Sequence, residues 1–512
     1  MRCEKHIPEY MKTFTYFAQG LWDMFHVCHL VVGKSRAFQV CSLKPGPGSC
    51  YKPAYRPVLD QRNTSIPYKQ SEDAMTFDLI LHNGIILTMN PAFEVIKDGY
   101  IAVHDGRILQ VGKKPIPSLP GARARIDAQG GIIMPGLVNT HTHLPMTLFR
   151  GLADDLPLEV WLQDYIFPAE STHINATNVY KGALLGCAEL LLGGTTTICD
   201  GYFFEDQVAE ALITTGLRAI VGQGVIDYPA PGVPDPADNI RAAAAFVDAL
   251  RERSALVTPS VFCHSPYTCS AATLQKAKAL AADNGVLFQI HVAETRHENK
   301  APFSQEHGSV IRYLDHLGIL DQETLLVHAV WVDDSDIAIL AGKGCGISHN
   351  PESNMKLASG VAPVPKFLDA GVAVGLGTDG CASNNDMDLF QEMDVAAKLH
   401  KVYANDAVVM DAATVLKMVT IEAARSIGME REIGSLEVGK AADIIIIDTH
   451  KPHLIPLYDP VSQLVYAARG SDVSHVLVAG ELLVEKRMLQ HMDLMPVMEQ
   501  MRRLSRTIGP GY

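Results

Sequence analysis

The sequence reads as an α/β protein, a (β/α)8 TIM-like barrel with a small β-sandwich formed by both flanking segments. Two patterns and a count carry this reading. Between about residues 134 and 438, apolar strand-like runs alternate with helical stretches, the rhythm of a parallel sheet with crossover helices. Eight such runs are present, which suits a closed barrel better than an open sheet. Outside that block, both ends of the chain hold short strand patterns punctuated by turn signals.

Residues 1–74 stand apart. They carry 10 Lys+Arg against 6 Asp+Glu, although the 512-residue chain as a whole has a net charge of −14. Lys44-Pro-Gly-Pro-Gly48 is a coil signal, and the apolar patch Leu21–Val32 is broken by Asp23, His26 and His29, a poor signal-peptide core. The segment reads as a loosely ordered extension, or as sequence upstream of a start at Met75. Residues 75–133 show the strand runs Phe77–Leu81, Ile85–Met89, Tyr100–His104 and Ile108–Val111, with Asn83-Gly84 and Asp105-Gly106 as hairpin signals. The barrel candidates are Gly136–His143, Thr195–Asp200, Leu217–Gln223, Leu256–His264, Leu287–Glu294, Leu325–His328, Gly344–His349 and Val372–Asp379. Across 439–490 the first flank's pattern returns in Asp443–Asp448, His475–Val478 and Leu482–Glu485, and 491–512 reads as a C-terminal tail.

Composition narrows the function classes. An acidic chain with 20% charged and 47% hydrophobic residues has no broad basic surface for nucleic acid or membrane. No stretch of about 18 uncharged apolar residues is present. Ten cysteines without a Cys-x-x-Cys pair read as buried apolar residues in a reducing compartment, so the expected location is the cytoplasm.

The polar residues of interest fall at the C-terminal ends of the barrel strands, where such barrels place their active sites. His141 and His143 end the first strand two residues apart, so both imidazoles point the same way. His291 ends the fifth strand, His328 the sixth and Asp379 the eighth. Any one of them alone could be a core histidine or a loop aspartate. Together they read as a site for one divalent metal, with zinc–nitrogen bonds of about 2.0–2.1 Å if the ion is zinc. Glu294 lies three residues past His291 and can shuttle protons without ligating. His264, ending the fourth strand, is a substrate contact or a structural histidine. Glu170 bonds substrate hydroxyls or is surface charge. The polar run Ser348–Gly360 reads as a loop shaping the pocket; Asn384 and Asn385 support Asp379 or form a turn.

Gly136-Leu-Val-Asn-Thr-His-Thr-His, Arg150-Gly-Leu-Ala-Asp-Asp-Leu-Pro157, His291-Val-Ala-Glu294, Asn350-Pro-Glu-Ser-Asn-Met-Lys-Leu-Ala-Ser-Gly360 and Gly377-Thr-Asp-Gly-Cys-Ala-Ser-Asn-Asn385 closely resemble the amidohydrolase superfamily. Within it they are similar to the 5-methylthioadenosine/S-adenosylhomocysteine deaminases, near the triazine chlorohydrolases. The resemblance covers Met75 to about Leu489. It implies one divalent metal, zinc or alternatively ferrous iron, on His141, His143, His291 and Asp379. It also implies proton transfer by Glu294 and His328 with Asp379, and substrate contacts from Glu170, His264, Glu294 and Asp379. The substrate would be a small nucleoside-like molecule, deaminated hydrolytically to the inosine analogue and ammonia, by a protein that could be a homo-oligomer. The family grips the substrate's distal group with arginines, one near the end of the third strand. This chain has Gln223 there and no arginine in Asp227–Ile240, which favours a less charged adenosine derivative. Guanine or triazine hydrolysis on the same scaffold is the neighbouring alternative. A non-catalytic scaffold would have lost ligands or the acid/base pair, and all six residues are present.

Overall fold

The computed structural model describes residues 77–113, 121–156 and 158–509; the extension 1–74 lies outside them. In the flanking sheet, β1 is Phe77–Leu87, β2 Val95–His104, β3 Arg107–Lys113, β4 Ala122–Asp127 and β5 Ile132–Pro135. The barrel follows: β6 Leu137–Thr142, β7 Thr195–Tyr202, β8 Arg218–Val225, β9 Val257–Cys263, β10 Phe288–Val292, β11 Thr324–His328, β12 Gly346–His349 and β13 Ala373–Leu376. Each of the eight expected runs overlaps one of these strands. They pair in parallel in chain order, and a parallel bridge between Thr142 and Asp379 brings the last strand back to the first. Strands covered on both faces need apolar residues at successive positions, which is why they are legible as unbroken runs. All eight residues of β7 and all eight of β8 are buried.

The two flanks join into one continuous nine-stranded sheet. β14 (Ile444–Ile447), β15 (Val473–Val478), β16 (Glu481–Glu485) and β17 (Met488–Leu489) extend from β5, which lies beside β1. β5 and β14 are the joint between sheet and barrel. Ile444 and Ile446 enter the sheet's own core with Ile101, Ile108 and Ile133, whereas Ile445 and Ile447 face the barrel core with Ile132 and Met134. A strand between two cores has no wet face, and four consecutive isoleucines meet that demand. Residues 491–512, expected to be a tail, contain the helix Leu494–Ile508; Met501, Leu504 and Ile508 recur on one side of it and join the barrel core. Among the described residues no helix is long and apolar enough to cross a membrane, and the six cysteines are buried and unpaired.

A bidentate ion pair reinforces the joint. On β8, Arg218 donates Nε to Asp443 Oδ2 at 2.7 Å and Nη2 to Oδ1 at 2.9 Å, and Asp443 Oδ1 also accepts from the Ala479 amide at 2.7 Å. The Asp443 side chain is 3% exposed. Arg218→Met strands that carboxylate without its cation. The expected loss is about 3–5 kcal/mol of stability in a denaturant titration, and Arg218→Met/Asp443→Leu should recover part of it.

Candidate metal centre and active site

His141 and His143 leave β6 on one side, and the segment between and after them is clamped by Asp200 of β7. Asp200 Oδ1 accepts from Thr142 Oγ1 at 2.5 Å and from the Leu144 amide at 2.7 Å. Each of the other two histidine orientations is fixed by a backbone carbonyl. His143 Nδ1 lies 2.6 Å from Gly201 O, and His291 Nδ1 lies 2.8 Å from His264 O. A carbonyl only accepts, so both Nδ1 atoms carry a proton, and Nε2 is the atom each ring can turn to an ion. These atoms converge. His141 Nε2 is 3.1 Å from His291 Nε2 and 3.3 Å from Asp379 Oδ1, and His143 Nε2 is 3.4 Å from the same oxygen. All four ligating atoms lie within 4.8 Å of one another.

Burial pushes the His141 imidazole down to about 4 and His291 well below its ordinary value, so these rings are neutral near pH 7. Lone pairs of neutral imidazoles facing each other and a carboxylate leave an electron-rich hole that a cation satisfies. Three nitrogens and one oxygen form the donor set of a divalent ion such as zinc. Asp379 is held for that purpose: Gly380 N donates to Oδ1 at 2.8 Å, while Ser353 Oγ and Ser383 Oγ donate to Oδ2 at 2.7 and 3.1 Å. Phe262 forms an apolar floor, its ring centroid 5.9 Å from His143 and 5.3 Å from His291.

The proton-transfer candidates stand beside this cluster. His328 Nδ1 lies 3.0 Å from the Asn354 amide nitrogen, and its Nε2 faces Glu294 Oε2 at 3.8 Å. Ser359 Oγ donates to Glu294 Oε1 at 3.1 Å. Burial first, and the Asp379 carboxylate second, push Glu294 up to about 7. His328 and Asp379 both sit in the left-handed region, at φ +76° and +62°, a conformation non-glycine residues hold only where surroundings enforce it.

Glu170 and His264 adjoin the cluster through Tyr202 and His291. Glu170 reaches its place through a π-helical segment, Trp161–Ile166, that leads into the helix Phe167–His173. Its carboxyl is 7% exposed and accepts a hydrogen bond from Tyr202, whose ring lies 5.9 Å from that of His143. Burial, opposed by that hydrogen bond, raises Glu170 to about 7. The His264 ring stacks edge-on at 5.4 Å from His291, with Nδ1 at 2.9 Å from Thr268 Oγ1. Gln223 is 8% exposed and accepts from the Glu205 amide at 3.2 Å. Among the described residues Asn384 makes no hydrogen bond to Asp379; its side chain donates to Thr378 O and to Glu392. Asn385 links Lys356 with Asp154 across the mouth.

Sequence reasoning missed Asp200, Ser353, Asn354, Ser359 and Ser383. Three of these lie in the run read as a pocket loop, yet nothing local distinguishes the serines that meet Asp379 or Glu294 from their neighbours.

Residues 132–483 match the amidohydrolase family. The chain is 45% identical over 436 residues to the 5-methylthioadenosine/S-adenosylhomocysteine deaminase of Syntrophobacter fumaroxidans, covering 85% of this chain and 99% of that one. It is 43% identical to a 5′-deoxyadenosine deaminase of Methanosarcina mazei, over 83% of this chain and 97% of the relative. A crystal structure of an adenosine deaminase from Xanthomonas campestris with bound zinc superposes with a TM-score of 0.82 at 37% identity, covering 85% of this chain and 99% of that chain. Sequence match, barrel and strand-end constellation agree: this chain belongs to the amidohydrolase family.

Proposed function

We propose that this protein is a zinc-dependent hydrolytic deaminase of adenosine derivatives, converting the adenine ring to hypoxanthine with release of ammonia. The observation that carries the reading is the convergence of His141, His143, His291 and Asp379 within 4.8 Å, with Glu294 and His328 facing each other beside them. A divalent metal there supplies Lewis acidity, making water acidic enough to attack near neutral pH. Asp379 and His328 orient the attacking water and accept its proton. Glu294, raised to about 7, carries a proton near neutrality and donates it to the ring nitrogen beside the amine-bearing carbon. Glu170 takes the ribose hydroxyls and His264 the substrate's edge. Gln223 offers a neutral amide where a charged tail would call for an arginine, which favours 5′-methylthioadenosine or 5′-deoxyadenosine over S-adenosylhomocysteine.

An ammonia-release assay on the zinc-loaded protein tests this with S-adenosylhomocysteine, 5′-methylthioadenosine, 5′-deoxyadenosine, adenosine and guanine. The expected outcome is release from the adenosine compounds, fastest with an uncharged 5′ tail. Glu294→Gln should lose about 10²–10⁴-fold in kcat. Release from guanine alone would move the activity to another member of the family. Removing the metal with a chelator should abolish turnover and lower the unfolding temperature, and zinc should restore both.

Glu170 makes a pH-dependent prediction. Its folded value of about 7 lies above the ordinary 4.5, so the native state holds a proton that the unfolded chain has lost between those values. Stability therefore falls as pH rises through that window. Glu170→Gln should match the parent near pH 4.5 and exceed it by up to about 3 kcal/mol above pH 7. Its KM for the nucleoside should rise at every pH. Equal stability of the two proteins at pH 8 would show that Glu170 is not strained by burial.

A further inference from the structure

One buried carboxylate near the site has no part in the chemistry above. Glu298 opens a short 3-10 turn, Glu298–Lys300, in the loop after β10, and is 4% exposed. Among the described residues it makes no ion pair. Three backbone N–H groups meet it instead. Oε2 accepts from Ala293 N at 2.8 Å, and Oε1 accepts from Glu294 N at 2.7 Å and from Thr295 N at 3.2 Å. These are the amides of Glu294 and of the residues on either side of it.

The carbonyl of Ala293 is held from the other direction. It accepts from Trp331 N at 2.8 Å and Val330 N at 3.0 Å, both just beyond His328. Ala293 itself sits at φ +51°, a left-handed conformation that a non-glycine residue holds only at a cost. The chain is therefore bent sharply one residue before Glu294, and the bend is secured by Glu298 on its N–H side and by the β11 loop on its carbonyl side. Both oxygens of Glu298 are used and every partner is a donor. A carboxylate meets that demand; an amide in its place would aim an NH2 group at one of the N–H groups.

We propose that Glu298 is a positioning residue for Glu294. It fixes the peptide units around Glu294 so that the Glu294 carboxyl stays between Ser359 Oγ and His328 Nε2, beside the metal ligands. Its kinetic consequence rests on the deaminase reading; its structural consequence does not.

The test uses the zinc-loaded full chain as Glu298→Gln, Glu298→Ala and Glu294→Gln/Glu298→Gln, with two readouts. In hydrogen–deuterium exchange, the amides of residues 293–295 should lose protection in both single variants while the barrel strands keep theirs. In the ammonia assay, kcat should fall by about 10–100-fold with KM and metal content nearly unchanged, the loss that a misplacement of about 1 Å produces. The double variant should be no slower than Glu294→Gln alone, because Glu298 acts only through Glu294. Unchanged protection at 293–295 overturns the proposal whatever the substrate proves to be. So does an unchanged kcat in Glu298→Gln, a further loss in the double variant, or a loss of rate that tracks loss of metal. If the parent protein releases ammonia from none of the compounds, the deaminase reading fails by itself, and the exchange measurement still decides whether Glu298 holds the loop. Should Glu298→Ala fail to fold, the isosteric Gln variants carry both readouts.

Discussion

Four ligating atoms of like character are forced together in a dry place. Three imidazole nitrogens and a carboxylate oxygen approach within 4.8 Å at the mouth of a closed barrel, where burial keeps His141 and His291 neutral. Three imidazoles and a carboxylate packed this closely form an electron-rich cluster that a cation would satisfy. Much of the surrounding structure acts to hold it. Carbonyls of Gly201 and His264 fix two rings, Asp200 clamps the chain that carries His141 and His143, and two serines with one amide pin Asp379. These groups come from the ends of four strands, β7, β9, β12 and β13, so the centre exists only when the barrel is closed.

The scaffold explains why such an arrangement can persist. The eight strands are buried on both faces, and the flanking sheet shares a strand pair, β5 and β14, whose two faces belong to two cores. Arg218 and Asp443 lock the same joint with a bidentate pair far from the metal ligands. Three residues at the opposite end hold costly backbone conformations: Ala293, His328 and Asp379 all have positive φ. Strain at a functional site is tolerated where a rigid surround over-determines it.

The two carboxyls raised to about 7 illustrate how one barrel mouth gives the same side chain two different settings. Glu294 is raised by burial beside the Asp379 anion and has His328 and Ser359 as neighbours, an environment for moving a proton. Glu170 is raised by burial but bonded by the Tyr202 hydroxyl. Only the first feels the charges of Asp379 and His143, and that placement, rather than its proton affinity, separates the two settings.

The strands and the histidines and aspartate that converge at the barrel mouth were legible in the chain itself. A strand buried on both faces must be an apolar run, and a histidine or aspartate that ends such a run stands out against it. His141 and His143 needed no more than their spacing of two, since alternate residues of a strand share a face. What tertiary structure alone decided was everything held by contacts distant in sequence. Asp200 lies 58 residues from Thr142, Ser353 lies 26 from Asp379, and Asn354 lies 26 from His328. A serine or asparagine in a polar loop carries no mark of the partner it will meet. Likewise the isoleucines of β14 announced a buried strand without saying that two cores would claim alternate residues. The helix Leu494–Ile508 is mostly polar with its apolar residues on one face, a spacing present in the sequence; only the barrel decided which surface that face covers. Periodicity reports which face of an element is buried; which group it meets there depends on barrel closure, which brings distant strand ends to one point.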